Sequence, residues 1–141
     1  IDIKNADSIL VSVNMLGSYN ATNAACALAA TQLLGLSMAA GLESLKKVRS
    51  IPGRLEKVSI ESPGIAIVDY AHTPDALNKV LSSLRKHCLK NLWLVFGCGG
   101  NRDKGNRSQM GRIAEHWADH IIVTVANITF HFYITKPLNY I

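Results

Sequence analysis

The sequence predicts an α/β fold with a parallel sheet from about residue 65 onward. Three observations predict it. Apolar runs at Ile65–Asp69, Leu92–Phe96 and Ile121–Thr124 alternate with helix-like stretches at Pro74–His87 and Ser108–Trp117, an order that reads as strand, helix, strand, helix, strand. Thr73 followed by Pro74 is a helix-start signal directly after the first run. The second run ends in closely spaced Gly97, Gly99 and Gly100, where a backbone without Cβ atoms can approach a ligand. In such sheets ligands bind at strand C-terminal ends. Asp69 and Gly97–Arg107 both fall there.

The elements follow in order. Ser8–Asn14 (Ser-Ile-Leu-Val-Ser-Val-Asn) reads as a strand. Asn20–Leu34 is Ala-rich, predicts a helix that packs closely on a neighbour, and stops at Gly35. Met38–Val48 predicts a second helix. Ser50-Ile51-Pro52-Gly53 breaks the pattern and is the linker candidate. Leu55–Ile60 and Ile65–Asp69 read as strands joined around Ser62-Pro63-Gly64. Ser108 is the expected cap of the last helix. From Val125 the composition shifts: no acidic residue follows Asp119, and Ile128–Ile134 reads as an exposed, β-prone segment.

Composition narrows the function classes. The chain has 141 residues and 48% hydrophobic content, with a mean hydropathy of +0.14, enough for one domain or parts of two. No apolar run approaches the roughly 20 residues of a membrane span, so no membrane partner is expected. The net charge of +5 is spread along the chain, so a small acidic ligand is expected and nucleic acid is not. Cys26, Cys88 and Cys98 lack metal or disulfide spacing and point to a reducing cytoplasm. The start at Ile1-Asp2-Ile3-Lys4, without Met, reads as internal, so the chain is expected to be a fragment.

Four strings carry candidate chemistry. Asn20 and Asn23 share one helix face; their carboxamides match the edge of adenine, or one of them caps the helix. Arg54, in Pro52-Gly53-Arg54-Leu55-Glu56, can fork onto a phosphate or pair with Glu56. Asp69 ends a strand at the ligand edge and can accept ribose hydroxyls, or it caps the next helix with Thr73. Tyr70 and His72 beside it can stack on a nucleotide. Arg102, Lys104 and Arg107 follow the glycines and offer charge to a carboxylate or phosphate. The G-x-G-x-x-G spacing is absent, so a nicotinamide-dependent oxidoreductase is not expected.

Gly17-x-x-Asn20-x-x-Asn23, Gly53-Arg54-x-Glu56, Asp69–Leu77 and Phe96–Arg107 occur in the order found in the bacterial Mur ligases. The chain resembles that family over about residues 8–124, most of all its branch that adds a diamino acid to a UDP-muramoyl dipeptide. The resemblance implies that residues 1–51 end a central ATPase domain. It implies that 52–124 open a Rossmann-like C-terminal domain with a mostly parallel sheet, leaving 125–141 as an atypical tail. It implies ATP and Mg2+ as cofactors, with the magnesium ligands outside this chain. By the same resemblance Asn20 and Asn23 face adenine, Arg54 is catalytic at the terminal phosphate, and Asp69, Tyr70 and His72 hold the nucleoside. Arg102 and Asn127 then bind the diamino acid.

Two departures accompany the resemblance. No G-x-x-G-K-[ST]-type phosphate loop occurs. The family's Asp-Asn-Pro-Arg string should fall at 126–129, where Ala126-Asn127-Ile128-Thr129 stands. A truncation or frame change near Val125 is the expectation. The expected function is therefore a ligase fragment inactive by itself. The alternative is a stand-alone module that binds a nucleotide or acidic amino acid without catalysis.

Overall fold

The computed structural model describes residues 10–58, 64–97, 104–124 and 131–135. The chain divides into two compact units, Ile1–Met15 with Tyr19–Arg49, and Leu16–Ser18 with Ser50–Ile141.

The first unit holds a helical hairpin, α1 (Tyr19–Leu33) and α2 (Met38–Lys47). Gly35 closes α1 at φ 84°, a conformation that costs glycine little. Ser37 Oγ accepts the Ala40 N–H at 3.2 Å and caps α2. A Cβ on buried Gly41 would lie 3.0 Å from Leu28 Cδ2, so the missing side chain lets α2 approach α1. Residues 10–14 alternate in exposure, with Val11 and Val13 half-buried, yet they are not a strand. The strand expected over 8–14 is not formed at 10–14, because no ladder partner meets that backbone among the described residues; residues 8 and 9 lie outside them.

The second unit is a five-stranded sheet with two helices. Its elements are β1 (Glu56–Val58), β2 (Ile65–Asp69), α3 (Pro74–His87), β3 (Leu92–Phe96), α4 (Lys104–Trp117), β4 (His120–Val123) and β5 (His131–Thr135). The strand order is β1-β2-β5-β3-β4. Strand β5 pairs antiparallel with both β2 and β3, while β3 and β4 are parallel. Strands β2, β3 and β4 therefore run the same way, as the alternating strand and helix order predicts. The ladders themselves are mostly antiparallel, because β5 enters between β2 and β3 from the opposite direction. The tail segment expected to be exposed thus gives an interior strand, paired along both edges.

Helix α1 and strand β4 each begin one residue before the expected start, and the starts of β1 and α4 differ for physical reasons. Leu55 has φ 45° and cannot belong to a strand, so β1 begins at Glu56. Helix α4 begins at Lys104, four residues before the expected cap. Ser108 is inside it, its Oγ donating to the Gly105 carbonyl at 3.1 Å. Helices α3 and α4 lie against each other. The core is Ile67, Leu77, Leu81, Leu84, Leu92 and Leu94, all fully buried; each such side chain contributes about 1.5–3 kcal/mol by leaving water. Alternate burial along β3 turns Trp93 outward, where it stacks on His120 at 4.1 Å.

Candidate functional site

The shared direction of β2, β3 and β4 brings Asp69, Gly97 and Thr124 to one edge of the sheet. The candidate site forms at this edge, from the turn before β1 and the loop after β2. Arg54 N–H donates to the Ile51 carbonyl at 3.0 Å and closes the turn. Gly53 sits at φ 67° and Leu55 at φ 45°. A left-handed leucine is strained and needs a partner to hold it. Asp69 is that partner, since its Oδ2 accepts the Leu55 N–H at 2.8 Å. Its Oδ1 accepts the Ala71 N–H, also at 2.8 Å. On the other side of Arg54, the Gly53 N–H donates to Glu56 Oε2 at 2.8 Å.

Asp69 is 3% exposed. Burial pushes its carboxyl above the ordinary range, against the Leu55 and Ala71 N–H bonds and the Arg54 charge, which all pull down. Arg54, Tyr70 and His72 lie above it at the surface. The Arg54 guanidinium stands 5.5 Å from the Tyr70 ring centroid, a cation–π distance. The Tyr70 and His72 rings are 5.0 Å apart and tilted by 60°. His72 Nδ1 lies 3.0 Å from the Tyr70 carbonyl. A carbonyl only accepts, so Nδ1 carries the hydrogen, and in the neutral ring Nε2 keeps its lone pair.

The structure thus brings together Arg54, Asp69, Tyr70 and His72. It also decides between local alternatives. Thr73 caps α3, its Oγ1 accepting the Ala76 N–H at 3.3 Å; Asp69 does not, because its oxygens bind Leu55 and Ala71. Arg54 makes no ion pair with Glu56, whose carboxylate is turned to Gly53. Asn20 and Asn23 lie inside α1 in the first unit, so neither precedes the helix as a cap. Asn20 is 3% exposed and accepts from Asn23 Nδ2 at 3.1 Å. Arg102 and Asn127 lie outside the described residues. Among the described residues no group of three or more His, Cys, Asp or Glu is placed to hold a metal ion, and no helix is long and apolar enough to cross a membrane. The sequence reading missed Glu56 as a backbone acceptor. Its signal is the carboxylate three residues after Gly53, the spacing at which a side chain reaches back to an N–H.

Residues 53–132 match the family described as Mur ligase, glutamate ligase domain. The chain belongs to the Mur ligase family. The matched segment of this Mur ligase contains Arg54, Glu56, Asp69, Tyr70 and His72. Two curated relatives are named UDP-N-acetylmuramoyl-L-alanyl-D-glutamate–2,6-diaminopimelate ligase. That of Vibrio vulnificus (strain YJ016) is 49% identical over 113 residues, 80% of this chain and 23% of its own length. That of Vibrio cholerae serotype O1 is 46% identical over the same span. A solved structure of a ligase of that name matches with a TM-score of 0.53 and 39% identity, covering 83% of this chain and 24% of the other. This Mur ligase chain spans about a quarter of the length of the relatives it matches.

Proposed function

We propose that this Mur ligase chain is part of an ATP-dependent amide ligase. It joins 2,6-diaminopimelate to UDP-N-acetylmuramoyl-L-alanyl-D-glutamate in the cytoplasm, for cell-wall peptidoglycan. The names and identities of the relatives support the reaction. The observation that carries the reading at the level of residues is the exposed Arg54–Tyr70–His72 row at the strand C-terminal edge, where an α/β sheet binds its ligand.

In this reading ATP phosphorylates the peptide carboxylate, and ADP leaves. The amine of the diamino acid then attacks the acyl phosphate, an amide C–N bond forms, and phosphate leaves. Arg54 donates two hydrogen bonds to the terminal phosphate and spreads its charge. Tyr70 and His72 offer ring faces to the nucleoside. Asp69 accepts a ribose hydroxyl with lone pairs that its two backbone donors leave over. Asn20 and Asn23, in a segment proposed to end a central ATPase domain, face adenine. Arg102 meets a carboxylate of the diamino acid, with Asn127 beside it. Mg2+ supplies charge neutralisation at the phosphates, held by residues outside those described here.

The test is calorimetric titration of the chain with ATP and with adenosine. Arg54→Ala is expected to weaken ATP binding by roughly tenfold, the scale of one lost charge-assisted bond, and to leave adenosine unchanged. Equal ATP affinity in the variant overturns the phosphate role. Incubation with ATP, the UDP-muramoyl dipeptide and diaminopimelate is expected to release no phosphate. Sustained release would show that this chain is active by itself.

A further inference from the structure

We propose that Glu56 is a positioning residue for Arg54: its carboxylate, together with that of Asp69, grips the backbone on both sides of Arg54 and holds the guanidinium over Tyr70. The proposal deepens the phosphate-binding reading of Arg54 and rests on it for its functional consequence.

Arg54 sits between Gly53 at φ 67° and Leu55 at φ 45°. Glycine adopts its φ at little cost, but the left-handed Leu55 does not persist without restraint. The restraints are two carboxylates from different strands. Glu56, the first residue of β1, accepts the Gly53 N–H at 2.8 Å. Asp69, the last residue of β2, accepts the Leu55 N–H at 2.8 Å. Glu56 also pairs with Val68 across the β1–β2 ladder, so both grips are anchored in one sheet. Neither carboxylate makes an ion pair with the Arg54 guanidinium. That cation is left to the Tyr70 ring at 5.5 Å and to whatever anion arrives beside it. An arginine that makes no ion pair with either carboxylate, on a turn fixed by bonds to the main chain, is set out in advance for an incoming phosphate.

The sign of the effect separates this role from plain electrostatics. A carboxylate near a phosphate site repels the phosphate, so removing it should strengthen ATP binding if Coulomb terms alone matter. Removing a carboxylate that aims the arginine should weaken it. Glu56→Thr suits the test: threonine favours strands and is too short to reach the Gly53 amide. Glu56→Gln keeps a carbonyl oxygen at the same reach and acts as the rescue.

Two readouts are taken on the whole chain. Calorimetry with ATP is expected to show a loss of roughly fivefold or more in Glu56→Thr, near-normal affinity in Glu56→Gln, and no further loss when Glu56→Thr is added to Arg54→Ala. Proton NMR, without any ligand, is expected to show the Arg54 side-chain signals shifted by the Tyr70 ring in wild type and Glu56→Gln, and unshifted in Glu56→Thr. Tighter ATP binding in Glu56→Thr, or an undisturbed ring shift in that variant, overturns the positioning role. Should the wild-type chain fail to bind ATP, the phosphate reading falls while the ring shift still decides whether Glu56 aims Arg54.

Discussion

Arg85 donates to Asp119 Oδ2 at 2.7 Å across 34 residues of chain. The same oxygen accepts the Leu92 N–H at 2.6 Å. The other Arg85 nitrogen donates to the carbonyls of Cys88 and Lys90 at 2.8 and 2.7 Å. These bonds gather the last turn of α3, the start of β3 and the approach to β4 at the edge of the sheet opposite Asp69.

Asp119 gives the pH prediction. The Leu92 N–H, then Arg85, hold its carboxyl below the ordinary 3.8. A depressed folded value means that Asp119 stabilises the fold above 3.8, and that this is lost as pH falls through the folded value. Asp119→Asn should therefore be less stable than wild type at neutral pH, with the gap closing in acid. Urea titrations across pH check it, and a gap that widens in acid would contradict it. The carboxylate is 43% exposed, so solvent screening keeps the effect small.

Asp69→Asn should destabilise the chain. One oxygen becomes an NH2 group that faces a backbone N–H, so either Leu55 or Ala71 loses its acceptor, at a cost of about 1–3 kcal/mol. The penalty should be larger near pH 3.8 than at neutrality. The folded carboxyl titrates above its unfolded value, so wild type loses stability as pH rises through that folded value, and the variant does not. Chemical denaturation at both pH values tests this; a stabilised variant in acid would refute it.

Gly53→Ala and Gly111→Ala should move stability in opposite directions. A Cβ meets nothing within 4 Å at either position, so only the backbone decides. Gly53 has φ 67°, where alanine costs about 1–2 kcal/mol. Gly111 is inside α4, where alanine gains roughly 0.5–1 kcal/mol. Thermal unfolding of the two variants gives the comparison. A neutral Gly53→Ala would mean that the turn relaxes without cost.

The parts of the fold written in local punctuation were legible. Thr73-Pro74 marks the start of α3, and the apolar runs bound β2 and β3 at Asp69 and Phe96. What depends on distant partners was not. The β character of residues 131–135 could be read, but their place between β2 and β3 depends on pairs such as Asp69 with His131. The β-prone run near Val11 could be read, but a strand also needs a neighbour. Helix α4 starts at Lys104, ahead of the Ser108 that reads as its cap, because the Ser108 hydroxyl bonds to the Gly105 carbonyl inside the helix instead. At the candidate site, the types and positions of Arg54, Asp69, Tyr70 and His72 pointed to the edge. Their partners did not show, because the left-handed Leu55 that carries its N–H to Asp69 has no signature in side-chain chemistry.

The central position of β5 sets the order in which the sheet can be completed. A ribosome releases β1 to β4 before β5. Until then β2 and β3 each carry an edge with no hydrogen-bonding neighbour, and the β1–β2 hairpin and the β3–β4 pair have no ladder between them. Emergence of His131–Thr135 joins them in one step, so premature termination just upstream would yield two unjoined sheet fragments, each displaying a sticky edge to other nascent chains.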